Sequence, residues 1–221
     1  MFSTGVIRSA NQINEAMGRV YGYMGMAVII SMLVSMLVGT NQELVQFFFT
    51  GAMKWVVIFA PLLFIFAVPV LLNSGISKAG KVLTLHAFAG LMGLSMATIF
   101  VIYTMGSIVS AFMGASVLFG VMSLYGYFTK QSLDSIGKYL LVALIAIVIA
   151  SVINVFVGST VAQMVISAIA IVVFLGLTAY DTQKIREEVS YDSNGVAEVR
   201  GALTLYMDFI NLFINTTQKR P

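Results

Sequence analysis

The sequence predicts an all-α integral membrane protein with six spanning helices and a short seventh apolar segment that carries an aspartate. Three observations lead there. The 221 residues are 59% hydrophobic and only 10% charged, whereas a soluble domain carries about 25% charge. Mean hydropathy is +0.97, so the solvent for most of the surface must be lipid. Six apolar runs are close to the roughly 20 residues that a spanning helix needs, and a seventh is shorter. The same composition excludes other classes. A net charge of +3 gives no case for nucleic acid. The absence of Cys rules out disulfides and thiolate metal sites. A single His, with no His/Glu cluster, argues against a transition-metal centre.

The elements follow in order. Residues 1–19 form a polar N-terminal tail holding Arg8, Glu15 and Arg19. The run Val20–Val38 has no small-residue cleavage box and reads as an uncleaved signal anchor. Trp55–Leu72 is the second span. Lys54 and Trp55 anchor it at the interface, and Pro61 and Pro69 inside it free backbone carbonyls that neighbours must satisfy. Val82–Tyr103 contains His86; Ser107–Phe128 and Tyr139–Val157 follow, the latter with Asn154 near its end. Val161–Tyr180 is the sixth run, and Ala202–Thr217 the seventh. At 1.5 Å per residue the seventh reaches about 24 Å, marginal for a core of about 30 Å. It is therefore a short buried span or a re-entrant segment. Residues 20–217 make one transmembrane domain, and residues 218–221 are a C-terminal tail. The mixed-charge stretch Thr182–Arg200 reads as a solvated loop. Small residues at helix-packing spacing, Gly18/Gly22, Ser107/Ala111/Ala115 and Gly90/Gly93, predict close helix approach.

Orientation follows from Lys and Arg. Arg8, Arg19, Lys78, Lys81, Lys130, Lys138, Lys184, Arg186 and Arg200 fall on one side of the predicted topology, and only Lys54 in the loops of the other. The N-terminus is therefore predicted to be cytoplasmic. Lys219 and Arg220 would prefer the cytoplasm too, which favours a re-entrant last segment; if that segment crosses, they anchor it outside.

Two acids stand out. Asp208 lies mid-run in Gly201-Ala-Leu-Thr-Leu-Tyr-Met-Asp-Phe-Ile-Asn-Leu-Phe-Ile214, and Asp181 closes the run before it in Leu177-Thr-Ala-Tyr-Asp-Thr-Gln183. An ionisable group at bilayer depth costs roughly 2.5–3.5 kcal/mol on insertion scales, so such a residue marks a functional site by default. Two carboxyl groups brought together titrate as a coupled pair. Deprotonated, their oxygens suit a hard cation such as Ca²⁺. Spacing alone does not place them together, and Asp181 has a plainer reading as an interfacial residue paired with Lys184 or Arg186. His86 is a second group able to sense pH. Asn154 and Asn211, the latter one turn after Asp208, read as polar glue between helices.

Several stretches resemble the Bax inhibitor-1 family, in its bacterial YbhL/YccA-like branch. They are Val20-Tyr-Gly-Tyr-Met-Gly25, Ile99-Phe-Val-Ile-Tyr-Thr104, Met122-Ser-Leu-Tyr-Gly-Tyr127, Gly176-Leu-Thr-Ala-Tyr-Asp-Thr-Gln-Lys184 and Gly201-Ala-Leu-Thr-Leu-Tyr-Met-Asp-Phe-Ile-Asn-Leu-Phe213. The resemblance runs nearly end to end. It implies a seven-helix bundle with a short central last helix wrapped by two three-helix layers, and so a crossing seventh segment. It also implies a pH-sensitive calcium leak with a role in stress or cell-death suppression, its paired aspartates matching Asp181 and Asp208. Some members add an Arg in the second helix that latches onto the pair. Here Trp55–Leu72 has no ionisable residue, so that role would fall to Lys54, Arg186 or Arg200, or to nothing.

The leading expectation is a passive Ca²⁺ leak gated by protonation of Asp181 and Asp208, in a multi-pass protein of a bacterial inner membrane. Lipid, H⁺ and Ca²⁺ are its partners, and transient Ca²⁺ is its only cofactor. The alternative is a non-conducting regulatory protein that binds a membrane protease or channel. An enzyme is not expected. An intramembrane aspartyl protease would need its second aspartate in Gly-x-Gly-Asp, whereas here it follows Leu205-Tyr-Met.

Overall fold

The computed structural model describes residues 8–192 and 194–217. Residues 1–7, Ser193 and the tail from residue 218, with Lys219 and Arg220, lie outside them. The described residues form helices: α1 (Ala10–Gly39), α2 (Gln42–Phe49), α3 (Met53–Asn73), α4 (Lys78–Met96), α5 (Ile99–Ile102), α6 (Met105–Phe128), α7 (Asp134–Val157), α8 (Thr160–Tyr191) and α9 (Val196–Thr217). Six segments are long and apolar enough to cross a membrane: α1, α3, α4 with α5, α6, α7 and α8. The chain is thus all-helical and multi-spanning. α9, with Glu198, Arg200 and Asp208, is outside that set of six.

Several boundaries differ from the sequence expectation. α1 starts ten residues before its apolar run, because Ser9 and Gln12 form a reciprocal capping box. The first linker holds α2, capped by Asn41, whose side chain accepts from the Leu44 amide. The largest correction concerns residues 182–200. They are not a solvated loop: α8 continues to Tyr191, and α9 begins at Val196. Ile185 and Val189, one turn apart, are 4% and 0% exposed, so an apolar stripe carries the helix past its membrane run.

The chain divides into two compact units, one of residues 1–105 with 188–206, the other of residues 106–187 with 207–221. In the first, α1 and α4 meet where Gly93 faces the Ser31 backbone; a Cβ there would sit 2.8 Å from Ser31 Cα. Ser31 Oγ lies 2.9 Å from the Ala89 carbonyl and 2.6 Å from the hydroxyl of Tyr206, which is fully buried. The expected price of proline in a span is also visible. Pro61 has no N–H for the carbonyl of Val57, four residues earlier, and Ser95 Oγ from α4 donates to that carbonyl instead.

In the second unit, Gly126 of α6 lies against the Ala179 backbone of α8, and Gly137 of α7 against the Tyr180 ring. Ala111 and Ala115 are buried as their spacing predicts, but Gly18, Gly22 and Gly90 have nothing among the described residues within 4 Å of a Cβ position. They are not close-approach points. Asn154 does join elements: it donates to Gln163 and accepts from the Ser159 amide, closing the α7–α8 turn where Gly158 takes φ 68°.

Candidate functional site

The site is built in the second unit from two helices. Asp181 sits in the last third of α8, and Asp208 in the part of α9 that begins at Met207. The helical stripe Phe174, Leu177, Thr178 and Thr182 is buried, and Asp181 on its flank is half-buried. Asp208 is 5% exposed, between the buried Tyr206 and Phe209. Asp181 is near enough to act on Asp208 through its charge and as a side-chain hydrogen-bond partner. Two carboxyl groups can bond to each other only when one of them carries a proton. One Asp208 oxygen, Oδ2, is buried with no hydrogen-bond partner among the described residues. A buried acceptor left unmatched costs about 1–3 kcal/mol. Such orphans in a native fold call for an explanation.

Hydroxyl groups and aromatic rings flank the two acids. Ser123 of α6 and Thr182 of α8 share a hydrogen bond of 3.1 Å beside Asp181 in sequence. Phe209 and Phe213, on the C-terminal side of Asp208, meet α6 edge-on. Their centroids lie 5.5 and 6.1 Å from Phe112, and that of Phe209 lies 5.7 Å from Phe119. The pair thus borders an aromatic seam.

The other residues expected to support the site are engaged locally. Asn211 is not glue between helices; its amide donates to the Met207 carbonyl of its own helix. Arg186 donates to the Tyr127 carbonyl and stands 4.9 Å over that ring. Arg200 donates to Asn73 and lies 4.0 Å from Glu188, Lys54 rests over Trp55, and His86 is half-buried on α4 with Nε2 unpartnered among the described residues. As for calcium, two carboxylates offer at most four oxygens against the six to eight that Ca²⁺ takes. No group of three or more His, Cys, Asp or Glu side chains able to hold a metal occurs among the described residues.

Sequence reasoning missed a second charged centre. Glu198, read as part of a solvated loop, is 1% exposed. Its Oε1 accepts from Arg8 at 3.3 Å and Arg19 at 2.8 Å, and its Oε2 from Arg19 Nε at 2.9 Å and Lys78 at 2.7 Å. Burial alone would raise this carboxyl, but the hydrogen bonds and charges of Arg19 and Lys78 pull it down to about 2. The available signal was the apolar period of Val196, Val199 and Ala202 around it, which turns residue 198 into a helical position.

These features define a class: a multi-pass helical membrane protein with two acids near each other on its last two helices. The profile of a family described as inhibitor of apoptosis-promoting Bax1 matches residues 13–218. The chain is 35% identical to inner membrane protein YbhL of Escherichia coli K12, over 96% of this chain and 93% of that one. It is 35% identical to an uncharacterized protein of Rickettsia prowazekii, covering 91% and 87%, and 34% identical to one of Borreliella burgdorferi, covering 91% and 89%. The chain belongs to the Bax inhibitor-1 family of membrane proteins.

Proposed function

We propose that the protein is a passive cation leak, conducting Ca²⁺ and gated by protonation of Asp181 and Asp208. The observation that carries this reading is the closeness of the two carboxyl groups, one of them buried with an oxygen unmatched among the described residues. One shared proton ties α8 to α9. A second proton removes the charge that makes the bond strong; loss of the shared proton leaves two like charges side by side, which repel. Either change loosens the same contact, so helix position responds to pH. The family resemblance gives the sense: acid increases the leak. The carboxylates then offer a passing cation too few ligands to retain it, as conduction requires. α9 serves as the seventh crossing in this reading.

The protein sits in an inner membrane with its N-terminus cytoplasmic. Support comes from the relative named as an inner membrane protein and from the Glu198 cluster, which gathers the N-terminal segment, the start of α4 and the start of α9. The positive-inside pattern puts those three on one side. A second reading, a non-conducting partner of a membrane protease or channel, draws on α7, which buries only Gly137 and Asn154 and offers an apolar face along its length. Purified protein in calcium-loaded liposomes separates the two. Efflux above that of protein-free liposomes is expected; its absence at every pH would reject the leak and favour the partner role.

A further inference from the structure

The Glu198 cluster holds more positive charge than its carboxylate cancels. Arg8, Arg19 and Lys78 surround one acid that is 1% exposed. Glu15, one turn before Arg19, also acts on it but is exposed, and it leaves the cluster net positive. Donors are in surplus as well. Glu198 takes two of the five N–H groups of Arg19 and one of the three of Lys78. Both side chains are 41% exposed, whereas Arg8 is 18% exposed. The carboxylate therefore fixes Arg19 and Lys78 from behind and leaves their outer edges at the surface.

Their depth is set by the sequence. Arg19 immediately precedes the apolar run that starts at Val20, and Lys78 is the first residue of α4. Both lie where a spanning helix leaves the hydrocarbon, the level of lipid phosphates. Lys78 Nζ also stands 6.0 Å over the ring of Tyr23, one turn after Arg19 on α1. Tyr is a residue enriched at that level. Basic groups clustered between helix ends at the membrane surface select anionic headgroups.

We propose that Arg19 and Lys78, held by Glu198, form a binding site for the phosphodiester of an anionic phospholipid. The ligand is a bilayer lipid rather than a soluble phosphate, because the cations open at the junction of apolar and polar helix surface.

The test uses the full chain in uncharged detergent. Bound dioleoylphosphatidylglycerol is measured by native mass spectrometry, with dioleoylphosphatidylcholine as comparison. Phosphatidylglycerol should bind more tightly to the unmodified protein. Losing two basic side chains in Arg19→Gln with Lys78→Gln should weaken it roughly 30-fold. Lys130→Gln with Lys138→Gln, the same charge change on exposed residues elsewhere, should leave it unchanged. Equal loss in both double variants, or none in the first, overturns the site. Should the first variant not fold, Lys78→Gln alone decides: phosphatidylglycerol should bind it roughly 5-fold more weakly, and equal or tighter binding refutes the proposal. Glycerol 3-phosphate at matched concentration should fail to displace the lipid; full displacement would make the ligand a soluble phosphate and overturn the lipid assignment.

Discussion

Replacing Glu198 by Gln keeps size and removes the charge that four donors address. The carboxyl is held at about 2 against an ordinary 4.5. At about 1.36 kcal/mol per pH unit this is about 3 kcal/mol at most, and about 2–3 kcal/mol once the exposure of Arg19 and Lys78 is allowed for. The lowered value means that the ionised form is favoured by folding. The contribution is complete above about 4.5, fades as pH falls, and is gone below about 2. The same range, about 2–3 kcal/mol, is expected for Glu198→Gln at neutral pH, since stranding one member of a buried pair costs 3–5 kcal/mol and these cations still reach water. Reversible unfolding in detergent, followed at pH 7 and near pH 3, checks both. The unmodified chain should approach the variant on acidification, with about half of the gap closed near pH 3. A gap that is absent at neutral pH, or that stays constant down to pH 3, would refute the ion cluster as a source of stability.

Other outcomes follow from the same structure. Ser95→Ala should cost about 1–3 kcal/mol by stranding the Val57 carbonyl, and much less in a Pro61→Ala background, where residue 61 regains its N–H; equal costs in a double-mutant cycle on thermal unfolding would show that the proline is not what Ser95 serves. Gly126→Val forces a side chain to within 2.8 Å of the Ala179 backbone and should cost at least about 1–3 kcal/mol, whereas Gly18→Ala, in open space, should be neutral or stabilising by up to about 1 kcal/mol; melting temperatures in detergent compare the two. Cysteines placed singly at Ser77 and Ser135 should resist an impermeant thiol reagent in intact cells and one at Asn41 should react, and the reverse pattern would invert the topology.

Much of this architecture is legible in the sequence because lipid imposes a simple rule. A run of about 20 apolar residues has few alternatives to a spanning helix, and the six runs reappear within α1, α3, α4 with α5, α6, α7 and α8. What the rule does not reach is helix outside the hydrocarbon. The extension of α8 to Tyr191 and the start of α9 at Val196 rest on a sparse stripe of Ile185, Val189 and Val199 amid charges, which hydropathy averages away. Glu198 was hidden for the same reason. Its partners Arg8, Arg19 and Lys78 are distant in sequence, and a buried ion cluster looks, in one dimension, like scattered surface charge. The acid pair was easier to suspect, because a lone Asp in an apolar run demands a reason. Its closure was not derivable: nothing in the spacing of residues 181 and 208 puts two helices side by side. Asn211 shows the converse error, a polar residue assigned to a neighbour that spends its hydrogen bond on its own helix.

The most direct measurement of the central claim is calcium efflux from liposomes between about pH 6 and pH 8, comparing the unmodified chain with Asp208→Asn, Asp181→Asn and the double variant. If the pair is the sensor, efflux from the unmodified chain rises with acid. Asp208→Asn flattens that dependence, Asp181→Asn flattens it too, and the double variant adds little to Asp208→Asn because the two act as one coupled unit. Protein incorporation should not suffer, since removing a buried charge relieves a cost of roughly 2.5–3.5 kcal/mol. A double variant that keeps the pH profile of the unmodified protein would contradict the claim and make His86 the next group to test.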